Sequence, residues 1–198
     1  MIYMNPLKKI SFNSPVVLIF TITSFVVLGL SAITDGASNS LLFSVYGNSW
    51  KNPLGYIRLF GHVLGHANIE HYTSNFLLIL MVGPMLEEKY GSKILAGMIA
   101  VTALITGVIS AVFNPNAALL GASGVVFMMI LLSSFASAKS GTIPVTLILA
   151  VIIYIGKEVI SGTAGVMGLS SDNISHATHV IGGICGAVFG FMVNKKNN

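Results

Sequence analysis

From Pro15 to Ile33 the chain runs 19 residues without a charge. As a helix rising about 1.5 Å per residue, such a run crosses the roughly 30 Å hydrocarbon core of a bilayer. That limits the rest of the chain severely. Inside hydrocarbon every backbone N–H and C=O must be paired within the protein, as a helix pairs them. Further apolar stretches, at about 71–90, 92–113, 123–138, 143–160 and 174–193, read as five more helices of one compact bundle. Only 8% of the residues are charged and 54% are hydrophobic, against about 25% charged in soluble domains. The reading is an all-α integral membrane protein: one domain over 1–198, a six-helix bundle with a long first loop at 34–70. Lys8 and Lys9 before the first run, and Leu30-Ser31-Ala32 at its end, mimic a signal peptide. More spans follow, so the run is expected to stay as the first helix. The fifth stretch is uninterrupted only to Ile155, ahead of Lys157-Glu158, and must continue to Ile160 to span. A Gly/Ser-rich loop occupies 161–175.

The formal net charge of +4 does not point to nucleic acid, because the basic residues sit at the ends of the apolar runs. With the N-terminus inside, Lys8, Lys9, Lys89, Lys93, Lys139, Lys195 and Lys196 fall on the cytoplasmic side. Lys51, Arg58 and Lys157 fall outside. Seven against three favours both termini in the cytoplasm. A single cysteine, Cys185, rules out an intrachain disulfide or a cysteine metal site. No internal repeat supports an inverted-repeat transporter.

The first loop is mixed, with Asp35, Trp50, Lys51, Pro53, Arg58, His62, His66 and Glu70. A connection that long in a compact bundle carries function or short elements of its own. Leu41–Tyr46 and Leu54–Leu64 are apolar enough to lie in the interface, with Trp50 and Tyr56 as anchors. His62 and His66, at i and i+4, would need further ligands to hold a metal, so hydrogen bonding within the loop is the simpler role.

Under this orientation the polar residues of three helices meet at the outer level. The charge-free segment Asn114–Leu120 leads into Gly121-Ala122-Ser123-Gly124. Irregular backbone at membrane depth has to be buried in protein or line a wet cavity, so this loop is expected to dip inward. A serine at a helix N-terminus, between glycines, meets free backbone N–H groups and the positive end of the dipole. It fits either a nucleophile or a small-residue helix contact. His179, in the first turns of the last helix, suits a general base, or a hydrogen-bonded helix contact. Gly182, Gly186 and Gly190 follow it as a small-residue ridge for a close neighbour. His71 and Asn75 share one helix face and can both donate, as an oxyanion hole requires. They can equally cap the helix and bond its neighbours. His176 shares the side of His179. Asp172 and Glu158 lack a spacing that would make either a third triad member, leaving a two-residue dyad.

Taken in order, His62-x-x-x-His66, His71-x-x-x-Asn75, Gly-Ala-Ser-Gly, and His179 followed by Gly182 and Gly186 resemble the rhomboid family of intramembrane serine proteases, over residues 58–193. The resemblance implies a Ser123–His179 dyad. It implies an oxyanion hole from the His71 and Asn75 side chains and the Ser123 N–H, and no metal or cofactor. It also implies cleavage of transmembrane protein substrates near the outer membrane face, with residues 143–173 as the gate. Phe127 stands where the family often has tyrosine, keeping the ring that stacks on the base and losing the hydroxyl. The family's adjacent Trp-Arg pair is split here, between Trp50 and Arg58. Gly121 is expected to support the site by admitting the bend and the substrate, and Gly124 by admitting the close approach of the last helix. The expectation is a monomeric protease, since nothing requires a second copy, in a bacterial inner membrane. The rival readings are a silent relative that retains membrane clients and a histidine-based metal carrier.

Overall fold

Helix α1 (Pro15–Ile33) buries Val17, Phe20, Ser24, Val27 and Ser31, one residue per turn along a single stripe. Its other side presents Ile19, Ile22, Phe25 and Val26 outward. An exposed apolar face of that extent needs lipid rather than water against it. The structure is a computed structural model that describes residues 12–47, 52–136, 145, 148, 149, 152 and 173–196. The fifth stretch is represented by Val145, Ile148, Leu149 and Ile152, all helical. The rest of 143–172, with Glu158 and Asp172, lies outside the described residues, as do Lys8, Lys9, Trp50 and Lys51 and the side chain of His176.

After α1 come α2 (Ala37–Leu42) and α3 (Pro53–Gly61), both within the first loop. Asn52 caps α3 by accepting from the Leu54 N–H at 2.9 Å, and Pro53 opens it. The interfacial expectation for Leu41–Tyr46 is corrected here. The helix lies earlier, and Val45 is fully buried in a two-residue antiparallel bridge to Leu119. The loop thus turns inward to pair with another loop, which satisfies backbone that hydrocarbon could not.

Helix α4 (Ile69–Tyr90) begins two residues before the expected His71, because Asn68 accepts from the His71 N–H at 2.8 Å and so sets the cap. Helix α5 runs over Ser92–Phe113, α6 over Ser123–Ala136 and α7 over Asn173–Lys196. The last continues past the expected Val193 through two lysines, residues that suit a helix C-terminus. By length and composition, α1 and α5 can each cross a membrane, while Ser123–Ala136 and Ala177–Val193 are shorter apolar helices.

Helix α6 lies at the centre. Val125, Val126, Met128, Met129, Leu131, Leu132 and Phe135 are all buried, while Ser123, Phe127, Ile130 and Ser134 form a partly exposed stripe. It packs against α4, α5 and α7. Two charges of α4 hold its neighbours at the lysine-bearing end. Buried Glu87 accepts from the Val16 N–H at 2.9 Å and the Val17 N–H at 3.0 Å, at the start of α1. It also accepts from the Ser92 hydroxyl at 2.7 Å. Lys89 donates to the carbonyls of Phe135 and Ala136, at the end of α6. A carboxylate on a helix N-terminus and an ammonium on a helix C-terminus each match the local dipole and fill orphan backbone groups.

Candidate active site

The site is built on the strand-like segment before α6. Val45 and Leu119 exchange N–H···O bonds of 2.9 and 3.0 Å, and the Gly47 N–H donates to the Pro115 carbonyl at 3.2 Å. Farther along, the Gly121 N–H donates to the His62 carbonyl at 2.9 Å. The Ala122 N–H donates to His66 Nε2 at 3.3 Å. Irregular backbone between Asn114 and Ser123 is therefore fixed by the first loop. Helix α6 then opens with the Ala122 carbonyl accepting from Val126 at 2.9 Å, which makes Ser123 its first residue. Ser123 is partly exposed, whereas Ala122 and Gly124 are buried.

Gly121 has φ +124°, a conformation in which a side chain is strained. It is also crowded. A Cβ there would stand 2.7 Å from His71 Nε2 and Cε1 and 3.9 Å from Asn75 Nδ2. The first turns of α4 thus bring the His71 ring and the Asn75 amide against the residue two before Ser123.

His66 is the hub of this region, and its hydrogen bonds define its tautomer. Nδ1 faces the Leu64 carbonyl at 3.2 Å. A carbonyl only accepts, so Nδ1 carries the proton and Nε2 is left as an acceptor. Nε2 takes the Ala122 N–H and an amide N–H of Asn75, the latter at 3.2 Å. One of the two Asn75 amide hydrogens is thereby committed, which fixes the amide and leaves the second to serve elsewhere. The ring is fully buried, against His71 at 5.0 Å, Tyr72 at 5.6 Å and Phe76 at 5.5 Å between centroids. Burial, seconded by the nearby His71, lowers its pKa from 6.5 to about 4, the Leu64 carbonyl opposing.

His62 is used differently. Its Nε2 lies 3.3 Å from the Thr106 hydroxyl on α5, and that hydroxyl donates to the Thr102 carbonyl at 2.8 Å. Burial again lowers the pKa to about 4, against the carbonyls of Arg58 and Leu59. Since α3 ends at Gly61, His62 and His66 do not share a helix face, and each ring has its own partners. Among the described residues no group of three or more histidine, cysteine or acidic side chains gathers as a metal site.

From the other side comes α7. The His179 ring lies against Phe127, centroids 4.6 Å apart at 39°, one helical turn after Ser123. Thr178 flanks Gly124, where a Cβ would stand 3.2 Å from the Thr178 methyl and 3.1 Å from that of Thr106. Below this level a Cβ at Gly182 would overlap the Gly124 carbonyl, one at Gly186 the Met128 carbonyl, and one at Gly190 the Phe135 ring. The glycine ridge faces α6 over three turns.

The sequence reading gives no role to Thr106 and no specific one to Glu87 or His66. A hydroxyl, a carboxylate and an imidazole in otherwise apolar surroundings are the available signal, since each must find a partner. A family model described as "Rhomboid domain" matches residues 53–196, which include α3 to α7. Among curated proteins, none matches the chain.

Proposed function

The chain belongs to the rhomboid family of membrane-embedded serine proteases, and from that premise we propose that it is an active endopeptidase working through a Ser123–His179 dyad. The observation that supports this reading most is the bracketing of Ser123. His179 lies on Phe127, one turn after it, and His71 and Asn75 lie on Gly121, two residues before it. A base is thus offered from one side and hydrogen-bond donors from the other.

In this account Ser123 Oγ attacks the scissile carbonyl while His179 accepts the hydroxyl proton. His179 later returns that proton to the leaving amine, and water repeats the cycle on the acyl-enzyme. Negative charge developing on the carbonyl oxygen is met by His71, by the uncommitted Asn75 N–H and by the Ser123 backbone N–H at the start of α6. Phe127 holds the imidazole by its face. The chemistry uses no metal or cofactor.

The substrate is a transmembrane protein whose helix has to unwind locally, because helical carbonyls are shielded and bonded. Small or helix-breaking residues are therefore expected beside the scissile bond. We place six spans in the bilayer, both termini in the cytoplasm, cleavage near the outer face, and the gate at 143–173. A bacterial inner membrane and a monomer complete the reading.

A serine-reactive fluorophosphonate tests it directly. Purified protein is expected to be labelled on Ser123, with labelling lost in Ser123→Ala and in His179→Ala. A folded wild-type protein that takes no label would favour a silent client-retaining relative.

A further inference from the structure

On the face away from the catalytic groups, α1 and α5 diverge around a cleft of about 410 Å³. One wall runs from Val16 to Thr23 on α1 and the other from Ala96 to Ala103 on α5, with Phe60 and Val63 closing the inner end. Seven residues of helix make the cleft about 10 Å long. It begins at the first turns of α1 and α5 and extends about 10 Å, so it lies within one leaflet, whose hydrocarbon is about 15 Å deep. Ile19 and Phe60 on its rim are exposed, and the floor is apolar.

We infer that this cleft binds a membrane phospholipid with an anionic head group, the acyl chain in the cleft and the phosphate at Lys93. Size selects the chain over a protein helix. The cleft is about 10 Å long, a third of the roughly 30 Å that a spanning helix crosses, so it matches the acyl chain of one leaflet better than a protein helix. An unfilled cleft would forfeit dispersion contacts along both walls, so the surrounding hydrocarbon occupies it. Charge selects the head group. Lys93 is exposed in the first turn of α5, three residues before Ala96 and on the same side of the helix. A cation at that depth attracts an anionic lipid.

The inner wall gives the site a consequence. Val63 and Leu64, both lining the cleft, lie between His62 and His66, whose carbonyl and ring hold the N–H groups of Gly121 and Ala122. A bound chain supports that segment from behind and so steadies the backbone leading into Ser123. This coupling rests on the protease reading above; the binding itself does not.

Native mass spectrometry of the full chain, with 1-palmitoyl-2-oleoyl phosphatidylglycerol or the matching phosphatidylcholine added, separates the two. One phosphatidylglycerol is expected to survive activation that removes phosphatidylcholine. Lys93→Gln should bring its retention down to the phosphatidylcholine level. Ala100→Phe, which fills the cleft, should cut retention of phosphatidylglycerol at least tenfold; Val101→Phe, exposed on α5 outside the cleft, should behave as wild type. Ala96→Leu takes the place of Ala100→Phe if thermal unfolding shows that variant misfolded. Equal retention of both lipids by wild type, or equal losses from Val101→Phe and Ala100→Phe, would overturn the site as mere annular lipid. Fluorophosphonate labelling of the same samples reads the coupling: delipidation should slow it several-fold in wild type, and an unchanged rate would remove the coupling. Retained lipid with no labelling at all would count against the protease reading alone.

Discussion

His66 shows how much one ring can organise. As a neutral imidazole with its proton on Nδ1, it accepts at Nε2 from Ala122 and Asn75 at once. Protonation would turn that acceptor into a donor and break both contacts. The sign of the pH effect follows. The folded pKa is about 4 and the unfolded value 6.5, so on acidification the unfolded chain takes up the proton first. The stability contribution is complete above about pH 6.5 and is lost as pH falls toward 4. Thermal unfolding in detergent from pH 7.5 to 4 should show that loss, with a shallower slope in His66→Gln. The remaining slope belongs in part to His62, whose pKa is lowered similarly. An identical slope in the variant would remove His66 from the account. That His66 hydrogen-bonds rather than ligates was legible in the sequence, but its distant partners were not. Its spacing from His62 suggests a shared helix face, but α3 stops at Gly61, and the partner Ala122 is 56 residues away.

Among elements, the pairing of α6 with α7 is the most demanding fit. Gly182 meets the backbone of Gly124 so closely that no side chain has room there. Gly182→Val should force α7 away from α6, costing about 1–3 kcal/mol or more by overpacking, and should carry His179 off Phe127. Thermal unfolding and fluorophosphonate labelling should therefore fall together. A stable variant with undiminished labelling would show that this contact does not position His179. The glycine ridge was legible because its four-residue spacing marks one helix face. Its partner was read from Gly124, the small residue expected to admit the last helix, and Gly182 does lie against Gly124. Helix limits were readable where the chain carries a stop, as at Asn114-Pro115 after α5. They shifted where a side chain sets the cap, as Asn68 does for α4.

For the whole molecule, apolar run lengths and charge placement made the all-helical membrane architecture legible. What they left out is how the first loop enters it. Val45, Gly47, His62 and His66 hold the segment from Pro115 to Ala122, and all of those contacts join residues far apart in the chain. The account's central claim is that the groups gathered around Ser123 perform peptide-bond hydrolysis in a transmembrane substrate. Cleavage of a model transmembrane substrate by the purified full chain, in detergent containing chelator, tests it most directly. The account predicts cleavage by wild type, none by Ser123→Ala or His179→Ala, and about 10²–10³-fold slower turnover by Asn75→Ala through loss of one oxyanion donor. Cleavage that persists in Ser123→Ala, or that vanishes with chelator and returns with zinc, would contradict it.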